Sequence, residues 1–386
     1  MRSLPLLLLA ALAGLPSIAA HAGTHDILIG IDQKAFFDAN GTRFGPGGSD
    51  ALVVMDVTNP QSPRIRATLP LVNSVLGPPT NLQITPDGRL GLLANSVTTK
   101  ETNGIWGPVP DDKLFVVDLD ANPPKLAATV IVGKQPSGLA IARSGKLALV
   151  ANRASKSVSV LSIDGTTVKH VSEVPIDDEV AAVAITPDGR RGFVVKNTAN
   201  KIGVLAIDGD KVTYDKTLDL PAGLTPYNIE VTPDGHYAFS VNQGLGLSGN
   251  VDTVLVIDAA ANPPRVVDQT AVGDLPEGMA IAPNGKWLGV PLLRGSSSAH
   301  SRWSFTPNGS LVLMSIGPSA MLHRVGELKL GAVPEGIAFS PDSRFVYVGN
   351  YADKNVQIFR LDGGKLTDIG NPLVLPGQPA SMRGVP

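Results

Sequence analysis

A tight turn built on Pro-Asp-Gly recurs at long intervals along this chain and limits what the chain can fold into. In each copy an apolar run leads into the turn, and a second apolar run follows it and usually ends in Asn. The clearest copies are Pro86-Asp87-Gly88, Pro187-Asp188-Gly189, Pro233-Asp234-Gly235 and Pro283-Asn284-Gly285, and weaker ones are Arg143-Ser144-Gly145 and Pro341-Asp342-Ser343. Successive turns lie 44 to 58 residues apart. That period indicates four-stranded propeller blades rather than a helical solenoid.

Each repeat divides into four short strands, which we call A to D from the inside of the ring outwards. The turn joins A to B, because Pro fixes φ, Asp bonds its own backbone and Gly accepts a positive φ. For the third blade, the alternation of apolar residues and turn residues predicts strands at 136–142, 146–152, 157–163 and 167–174.

The two ends of the chain complete the count of blades. Six full units begin near residues 79, 136, 180, 226, 276 and 334. A remnant with strands B, C and D only precedes them, at 26–32, 50–57 and 63–69. The missing A strand is predicted at 379–384, where the pattern returns. The sequence therefore predicts an all-β, seven-bladed propeller in which a C-terminal strand joins the N-terminal blade, leaving no open sheet edge.

The repeat resembles a known family in its best copy. There Pro-Glu-Gly-Ile-Ala-Phe-Ser-Pro-Asp (334–342), Phe-Val-Tyr-Val-Gly-Asn (345–350) and Asn-Val-Gln-Ile-Phe (355–359) follow one another. This alternation resembles the YVTN-type propeller repeat, a family that is similar to the lactonase-like propellers and to the propeller subunits of quinone amine dehydrogenases. The resemblance implies the seven-bladed fold, and it implies either lactone chemistry or a role beside a dehydrogenase.

The first residues read as an export signal. Arg2 precedes an apolar stretch from Leu4 to Leu15, and Ala20-His21-Ala22 provides a small-residue cleavage site. The stretch is too short to span a membrane. We therefore expect cleavage near Ala22, a single propeller domain over 23–386, and a periplasmic or secreted protein.

Composition narrows the class of partner. The chain has no cysteine, which excludes disulfides and thiolate metal sites. Its formal net charge is −2, and Lys and Arg are scattered rather than clustered. A basic footprint for nucleic acid is therefore absent from the sequence, and the expected partner is a small molecule or another protein.

Three B–C segments are much longer than the others and mark one face of the ring. They cover about 33–49, 96–112 and 291–308. In a propeller the B–C and D–A connections share one face, which we call the loop rim, and the A–B and C–D turns share the opposite turn face. Long loops on a rigid scaffold commonly carry binding residues. The candidates on these segments are Trp106, Arg294, His300, Arg302 and Trp303.

A second set of candidates lies on the inner strands. The residue after the leading Pro of each A strand is expected at the mouth of the central channel, where Tyr227, Glu277 and Glu335 would converge. Glu277 and Glu335, which we call the carboxylate pair, are on adjacent blades and could hold a metal or orient a substrate. Asn81 is a further candidate ligand contact on the second blade.

At the usual Ala position of the A strand, three blades carry Gln83, Glu230 and Arg383 instead. Polar groups near a crowded axis need partners. Gln83 and Glu230 are candidate binding residues, and Arg383 is expected to join Glu335 and Glu277 in a cluster across three consecutive blades. Such a cluster would be catalytic or would be an ion-pair network holding the closing strand.

Three functions remain open at this point. The first is an exported propeller that binds a small molecule or protein on its loop rim. The second, implied by the resemblance, is a lactonase-like hydrolase or isomerase with Glu277 or Glu335 as general base, Arg383 stabilising an oxyanion and His300 transferring a proton. The third is an accessory subunit of a periplasmic quinone dehydrogenase. The residues assign no cofactor and no metal.

Overall fold

In the computed structural model, which describes residues 25–246 and 248–386, the repeated turn closes with the same hydrogen bond in four blades. Thr85 Oγ1 donates to Asp87 Oδ1 over 2.6 Å. Equivalent 2.6 Å bonds join Thr186 to Asp188, Thr232 to Asp234 and Ser340 to Asp342. The third turn residue has a positive φ, 76° at Gly88, which glycine adopts without strain. The turn chemistry of the sequence thus sets the start of the B strand in these four blades.

The strands are numbered in chain order. The first half comprises β1 (Asp26–Asp32), β2 (Ala35–Asp38), β3 (Gly41–Phe44), β4 (Ala51–Asp56), β5 (Arg64–Leu69), β6 (Leu82–Ile84), β7 (Leu90–Thr102), β8 (Ile105–Asp118), β9 (Lys125–Ile131), β10 (Pro136–Ile141), β11 (Leu147–Asn152), β12 (Ser157–Asp164), β13 (Thr167–Pro175), β14 (Val180–Ile185), β15 (Arg191–Lys196) and β16 (Lys201–Asp208). The second half comprises β17 (Lys211–Tyr214), β18 (Leu220–Pro221), β19 (Pro226–Val231), β20 (Tyr237–Asn242), β21 (Asp252–Asp258), β22 (Arg265–Gly273), β23 (Ala280–Ile281), β24 (Trp287–Leu292), β25 (Ser310–Ile316), β26 (Leu322–Lys329), β27 (Pro334–Phe339), β28 (Phe345–Asn350), β29 (Asn355–Asp362), β30 (Lys365–Asp368), β31 (Leu373–Val374) and β32 (Gln378–Arg383).

These strands form seven antiparallel blades, which confirms the predicted architecture. Blade 1 has the order β32-β1-β4-β5, blade 2 is β6 to β9, blade 3 is β10 to β13, and blade 4 is β14 to β17. Blade 5 is β19 to β22, blade 6 is β23 to β26, and blade 7 is β27 to β30. The short β18 and β31 extend blades 4 and 7 by pairing with their C strands, and β2 and β3 form a separate hairpin. The predicted export signal at 1–22 lies outside the described residues.

The core is divided among the gaps between adjacent blades. One cluster joins apolar residues of blades 3 and 4, such as Leu149 and Val194, and equivalent clusters fill the other gaps. Close approach at the axis depends on glycine in the inner strands. A Cβ on Gly278 would lie 2.4 Å from the carbonyl oxygen of Glu335 in the next blade. No helix among the described residues has the length and apolar character that a membrane span requires.

The ring closes as predicted, through five residue pairs between β32 and β1. Met382 opposes Ile29 and is 1% exposed. The four strands predicted for blade 3 each agree with the structure to within one residue at either end.

The sequence prediction differs from the structure at three points. The segment 96–112, predicted as a loop, extends β7 and β8 as a long hairpin, because its residues continue to pair up to Thr102 and Ile105. In blade 6, Leu292 rather than Pro291 occupies the end position of strand B, since it pairs with Pro276. The regular part of that blade's inner strand is correspondingly short, at Ala280–Ile281.

Candidate functional site

The inner strands begin at the loop rim with a repeated backbone arrangement. The residue before the leading Pro is left-handed in several blades, with φ 57° at Gln135 and 53° at Thr225. Its carbonyl accepts a hydrogen bond from the residue that follows strand B, over 3.0 Å from Arg153 to Gln135 and from Gln243 to Thr225. Each blade therefore presents two neighbouring positions at the channel mouth, one starting strand A and one following strand B.

Four side chains from four blades meet at this mouth. Tyr227, Glu277 and Glu335 start the inner strands of blades 5, 6 and 7, and Arg153 follows strand B of blade 3. The Arg153 guanidinium lies 5.8 Å from the centre of the Tyr227 ring, and its charge acts on both Tyr227 and Glu277. The Gln243 side chain lies beside the carboxylate of Glu277 and lowers its pKa. We call these five residues the rim site.

The carboxylate pair has strongly perturbed acidity. Burial raises the pKa of Glu277 to about 7, although the Arg153 charge and the Gln243 hydrogen bond act against this. Burial also raises the pKa of Glu335 well above its usual value, and the negative charge of Glu277 raises it further. Two close carboxyl groups in a buried setting cannot both ionise easily, so near neutral pH the pair retains at least one proton.

The two carboxyl groups differ in access to solvent. Glu335 is 1% exposed and its Oε2 has no hydrogen-bond partner among the described residues. An apolar cluster that includes Val333, Tyr351 and Ala380 packs over this side of the mouth. Glu277 remains partly exposed on the side of Arg153 and Gln243. A molecule arriving from solvent therefore meets Glu277 first.

The tyrosines of this region keep their protons. Burial and the neighbouring carboxyl groups raise the pKa of Tyr227 far above its usual value. The same two causes raise the pKa of Tyr351. Tyr227 therefore stays a neutral hydrogen-bond donor at any pH at which the protein is folded, and Arg153 keeps a hydroxyl beside it rather than a phenolate.

A hydrogen bond crosses the axis next to the rim site. Thr80 Oγ1 of blade 2 donates to Asn228 Oδ1 of blade 5 over 3.3 Å. Both residues are buried, at 5% and 0% exposed. We call this contact the crossbar, and we call the cavity on its turn-face side the turn-face chamber.

Arg383 does not join the carboxylate pair, in contrast to the cluster expected from the sequence. Its Nη1 donates to the carbonyl of Leu139 over 2.8 Å, and its Nη2 lies 3.6 Å from Glu230 Oε1. Gln83, which we expected at the rim, also lies at this end, where its Oε1 accepts from Ile141 N. Arg383, Glu230 and Gln83 thus line the turn-face chamber, beyond the crossbar.

Two other candidates have structural surroundings. Asn81 is 3% exposed, and its Nδ2 donates to Asn73 Oδ1 and to the carbonyl of Ala94, each over 2.7 Å. It therefore ties the inner strand of blade 2 to its neighbours. His300 stacks on Phe305 with ring centres 4.2 Å apart, and its backbone N–H donates to Ala39. This places His300 against the β2–β3 hairpin and not at Glu277.

The remaining candidates lie on the loop rim as expected. Trp303 is 81% exposed and its ring approaches Gly249 on the B–C loop of blade 5. Arg294 forms an ion pair with Glu327 at 3.7 Å. Trp106 is partly buried on β8, and Arg302 is exposed. Trp303 is therefore the candidate most available to a partner.

Sequence reasoning missed Arg153 and Gln243. Both directly follow the Asn that ends strand B, Asn152 and Asn242, and this position repeats in every blade. Comparing that position across blades would have shown an Arg and a Gln where others carry Ser96, Asn197 or Tyr351. Among the described residues, no group of three or more His, Asp or Glu side chains is arranged to hold a metal ion.

Replacing Glu335 by Gln is expected to stabilise the protein above neutral pH. The folded pKa of Glu335 lies well above its ordinary value of 4.5. The unfolded chain therefore releases this proton first, so stability is full below pH 4.5 and declines as the pH rises towards the folded pKa. We expect thermal melts to show equal midpoints for Glu335→Gln and the parent near pH 4.5, and a midpoint higher by about 2 °C or more for the variant at pH 8. Glu101→Gln, on the exposed hairpin, is the matched control, and a constant difference across this pH range would contradict the expectation.

Comparison with known proteins places the chain by fold. Neither a family model nor a curated protein matches its sequence. A candidate 6-phosphogluconolactonase from Bacteroides fragilis superposes with a TM-score of 0.71 at 16% identity, over 94% of this chain and 98% of that one. The periplasmic gluconolactonase of Pseudomonas aeruginosa gives 0.69 at 20% identity, over 94% and 99%. A candidate 6-phosphogluconolactonase from Bacteroides uniformis gives 0.68 at 16%, over 92% and 98%. The chain therefore has the fold of lactonase-like seven-bladed propellers.

Proposed function

We propose that the rim site hydrolyses an uncharged lactone. The observation that carries this proposal is the convergence of a partly exposed carboxylate of pKa about 7, Glu277, with the neighbouring pair of Arg153 and Tyr227. A general base works best when its pKa lies near the working pH, and donors beside it can stabilise an oxyanion. The fold shared with a protein described as a periplasmic gluconolactonase and with one described as a candidate 6-phosphogluconolactonase supports lactone hydrolysis as the reaction class.

The reaction follows from the roles of these groups. Ionised Glu277 removes a proton from a water molecule, whose oxygen attacks the lactone carbonyl carbon. The resulting oxyanion accepts hydrogen bonds from Arg153 and Tyr227. The tetrahedral intermediate collapses, the bond between that carbon and the ring oxygen breaks, and the proton held by Glu277 passes to the departing ring oxygen. The product is the open-chain hydroxy acid, and Glu277 is again ionised.

Glu335 acts in this scheme as a positioning residue. It is sealed from solvent and retains a proton, because burial and the negative charge of Glu277 both raise its pKa. A neutral Glu335 leaves the single negative charge of the pair on Glu277, whose own pKa is raised by burial. The positive charge of Arg153 lowers the pKa of Glu277 and so opposes the effect of burial.

The charge of the site predicts which lactone is accepted. Near neutral pH the carboxylate pair carries at most one negative charge, and Arg153, the cation that acts on Glu277, is already engaged by it, which leaves no spare cation for a phosphate. A phosphorylated lactone would bring two more negative charges, and a unit of repulsion at about 6 Å costs about 3 kcal/mol at an effective dielectric constant of 20. We expect kcat/KM for glucono-1,5-lactone to exceed that for its 6-phosphate at least 100-fold, measured by acid release with the spontaneous rate subtracted. Comparable values for both substrates would refute the assignment of an uncharged substrate, and failure to hydrolyse either would refute the lactonase proposal.

A second candidate function is ligand capture without turnover. The 81% exposure of Trp303 beside the loop of blade 5 favours it, because large exposed aromatic side chains are common in binding surfaces. In that case a lactone would bind with a change in Trp fluorescence, Trp303→Ala would abolish the change, and no acid would be released.

A further inference from the structure

The turn-face chamber is a second cavity, separate from the rim site. It has a volume of about 330 Å³, within the range of small-molecule sites. Its walls come from the ends of the inner strands, including Ile185, Val231 and Ile281, and it extends to the Pro residues of the A–B turns, such as Pro187 and Pro233.

The lining of this chamber is mixed, with His25, Asp26, Gln83 and Arg143 beside the apolar walls, and the charged pair of Arg383 and Glu230 lies on the inner strands near the axis. Arg383 and Glu230 have side chains only 17% and 15% exposed. Their closest atoms, Nη2 and Oε1, are 3.6 Å apart, which is too long for a direct hydrogen bond. Each side chain has one other anchor, since Arg383 donates to Leu139 and Glu230 Oε2 accepts from Ile281 N over 3.0 Å. The two side chains are therefore held in place, but the facing Nη2 donor and Oε1 acceptor do not hydrogen-bond to each other.

The state of this pair defines what could occupy the chamber. A largely buried ion pair is stable only when further hydrogen bonds complete it. The facing Nη2 donor and Oε1 acceptor can both be served by one group that donates and accepts at once. Because Arg383 and Glu230 cancel each other's charge, a charged group placed between them would have no counter-ion of its own there. An uncharged head group on an apolar body fits these conditions.

We infer that the turn-face chamber is a binding site for an uncharged amphipathic molecule, with an amide or hydroxyl head bridging Arg383 and Glu230 and an aliphatic or aromatic body against the inner-strand walls. The site is separate from the rim site, because none of the five rim-site residues lines the chamber. A ligand bound here would not compete with a substrate at the rim site.

The test compares three probes of the same chain length: hexanamide, hexanoate and hexylammonium. We expect titration calorimetry to show hexanamide binding at least tenfold more tightly than either ion. Ile185→Trp, which fills the chamber from a partly buried wall position, should abolish hexanamide binding, whereas Glu277→Gln at the rim site should leave it unchanged.

A second variant separates head recognition from shape. The double change Arg383→Met with Glu230→Gln removes both charges together, so neither is left unpaired, and its fold is checked by circular dichroism. It should reduce the preference for hexanamide over the ions to less than threefold. The inference is overturned if hexanamide does not bind at millimolar concentration, if either ion binds as tightly, or if Ile185→Trp retains binding. None of these outcomes bears on lactone hydrolysis, which is assayed separately.

Discussion

Replacing Glu277 by Gln is expected to lower kcat for lactone hydrolysis about 100- to 1,000-fold at pH 8, which is the usual contribution of a general base. The amide cannot accept the proton of the attacking water, whereas its size and its place beside Gln243 are preserved. Thermal stability should stay equal or rise, since burial penalises the charge that the substitution removes. Steady-state assays and thermal melts of the parent and of Glu277→Gln, made on the same preparations, measure both effects.

The pH dependence of the parent provides an independent check. Glu277 must be ionised to act as base, so kcat/KM should rise with pH through an apparent pKa of about 7. In Glu335→Gln the rise of kcat/KM should keep its apparent pKa, because Glu335 is still protonated when Glu277 ionises and places no charge beside it. Glu101→Gln, an exposed carboxylate on the same face, should change neither rate nor profile. Retention of more than a tenth of the activity by Glu277→Gln would remove Glu277 from the mechanism.

Deletion of residues 378–386 is expected to abolish cooperative folding. It removes β32, which pairs with five residues of β1. The seven residues of β1, Asp26–Asp32, are all buried and would become an open, apolar sheet edge. Loss of the Met382 side chain alone costs about 2–5 kcal/mol, against a total unfolding free energy of about 5–15 kcal/mol for a typical domain.

The effect is measured by circular dichroism melts and by size-exclusion chromatography. We expect a broad or absent transition and aggregation at micromolar concentration. Deletion of 385–386 alone is the control, because these residues follow the closing strand and Val385 is 37% exposed. A sharp melt within about 5 °C of the parent for the longer deletion would show that the ring does not depend on β32.

The blades could be predicted from the sequence because their boundaries are set locally. Pro187-Asp188-Gly189 makes its turn with hydrogen bonds inside six residues, from Thr186 to Arg191. The strands on either side of the turn follow from the alternation of apolar residues and turn residues. Ring closure was also predictable. The N-terminal blade lacks an A strand, and the C-terminus supplies an A strand with no blade of its own, so the two were expected to pair.

The site was predicted only in part, and the reason is geometric. Glu335 and Ala380 hold equivalent positions at the start of an inner strand, and Arg383 lies three residues farther along. At about 3.3 Å per residue this is about 10 Å deeper in the channel, so Arg383 meets Glu230 instead of Glu335. The inner strands also contain a register shift near their start, as between Pro334 and Ile337. Because of this shift, counting alternate residues from the start of the strand does not give the direction of the later side chains. Arg153 was missed because it comes from a short connection rather than from an inner strand or a long loop.

The closing strand has a practical consequence for handling the protein. Because β32 runs from the loop rim towards the turn face, the final residues Val385 and Pro386 emerge beside the turn-face chamber. An affinity tag or surface linker fused there would tether the molecule with its loop rim pointing into solution. The same fusion would crowd the opposite opening, so studies of the turn-face chamber call for an N-terminal attachment or a cleaved tag.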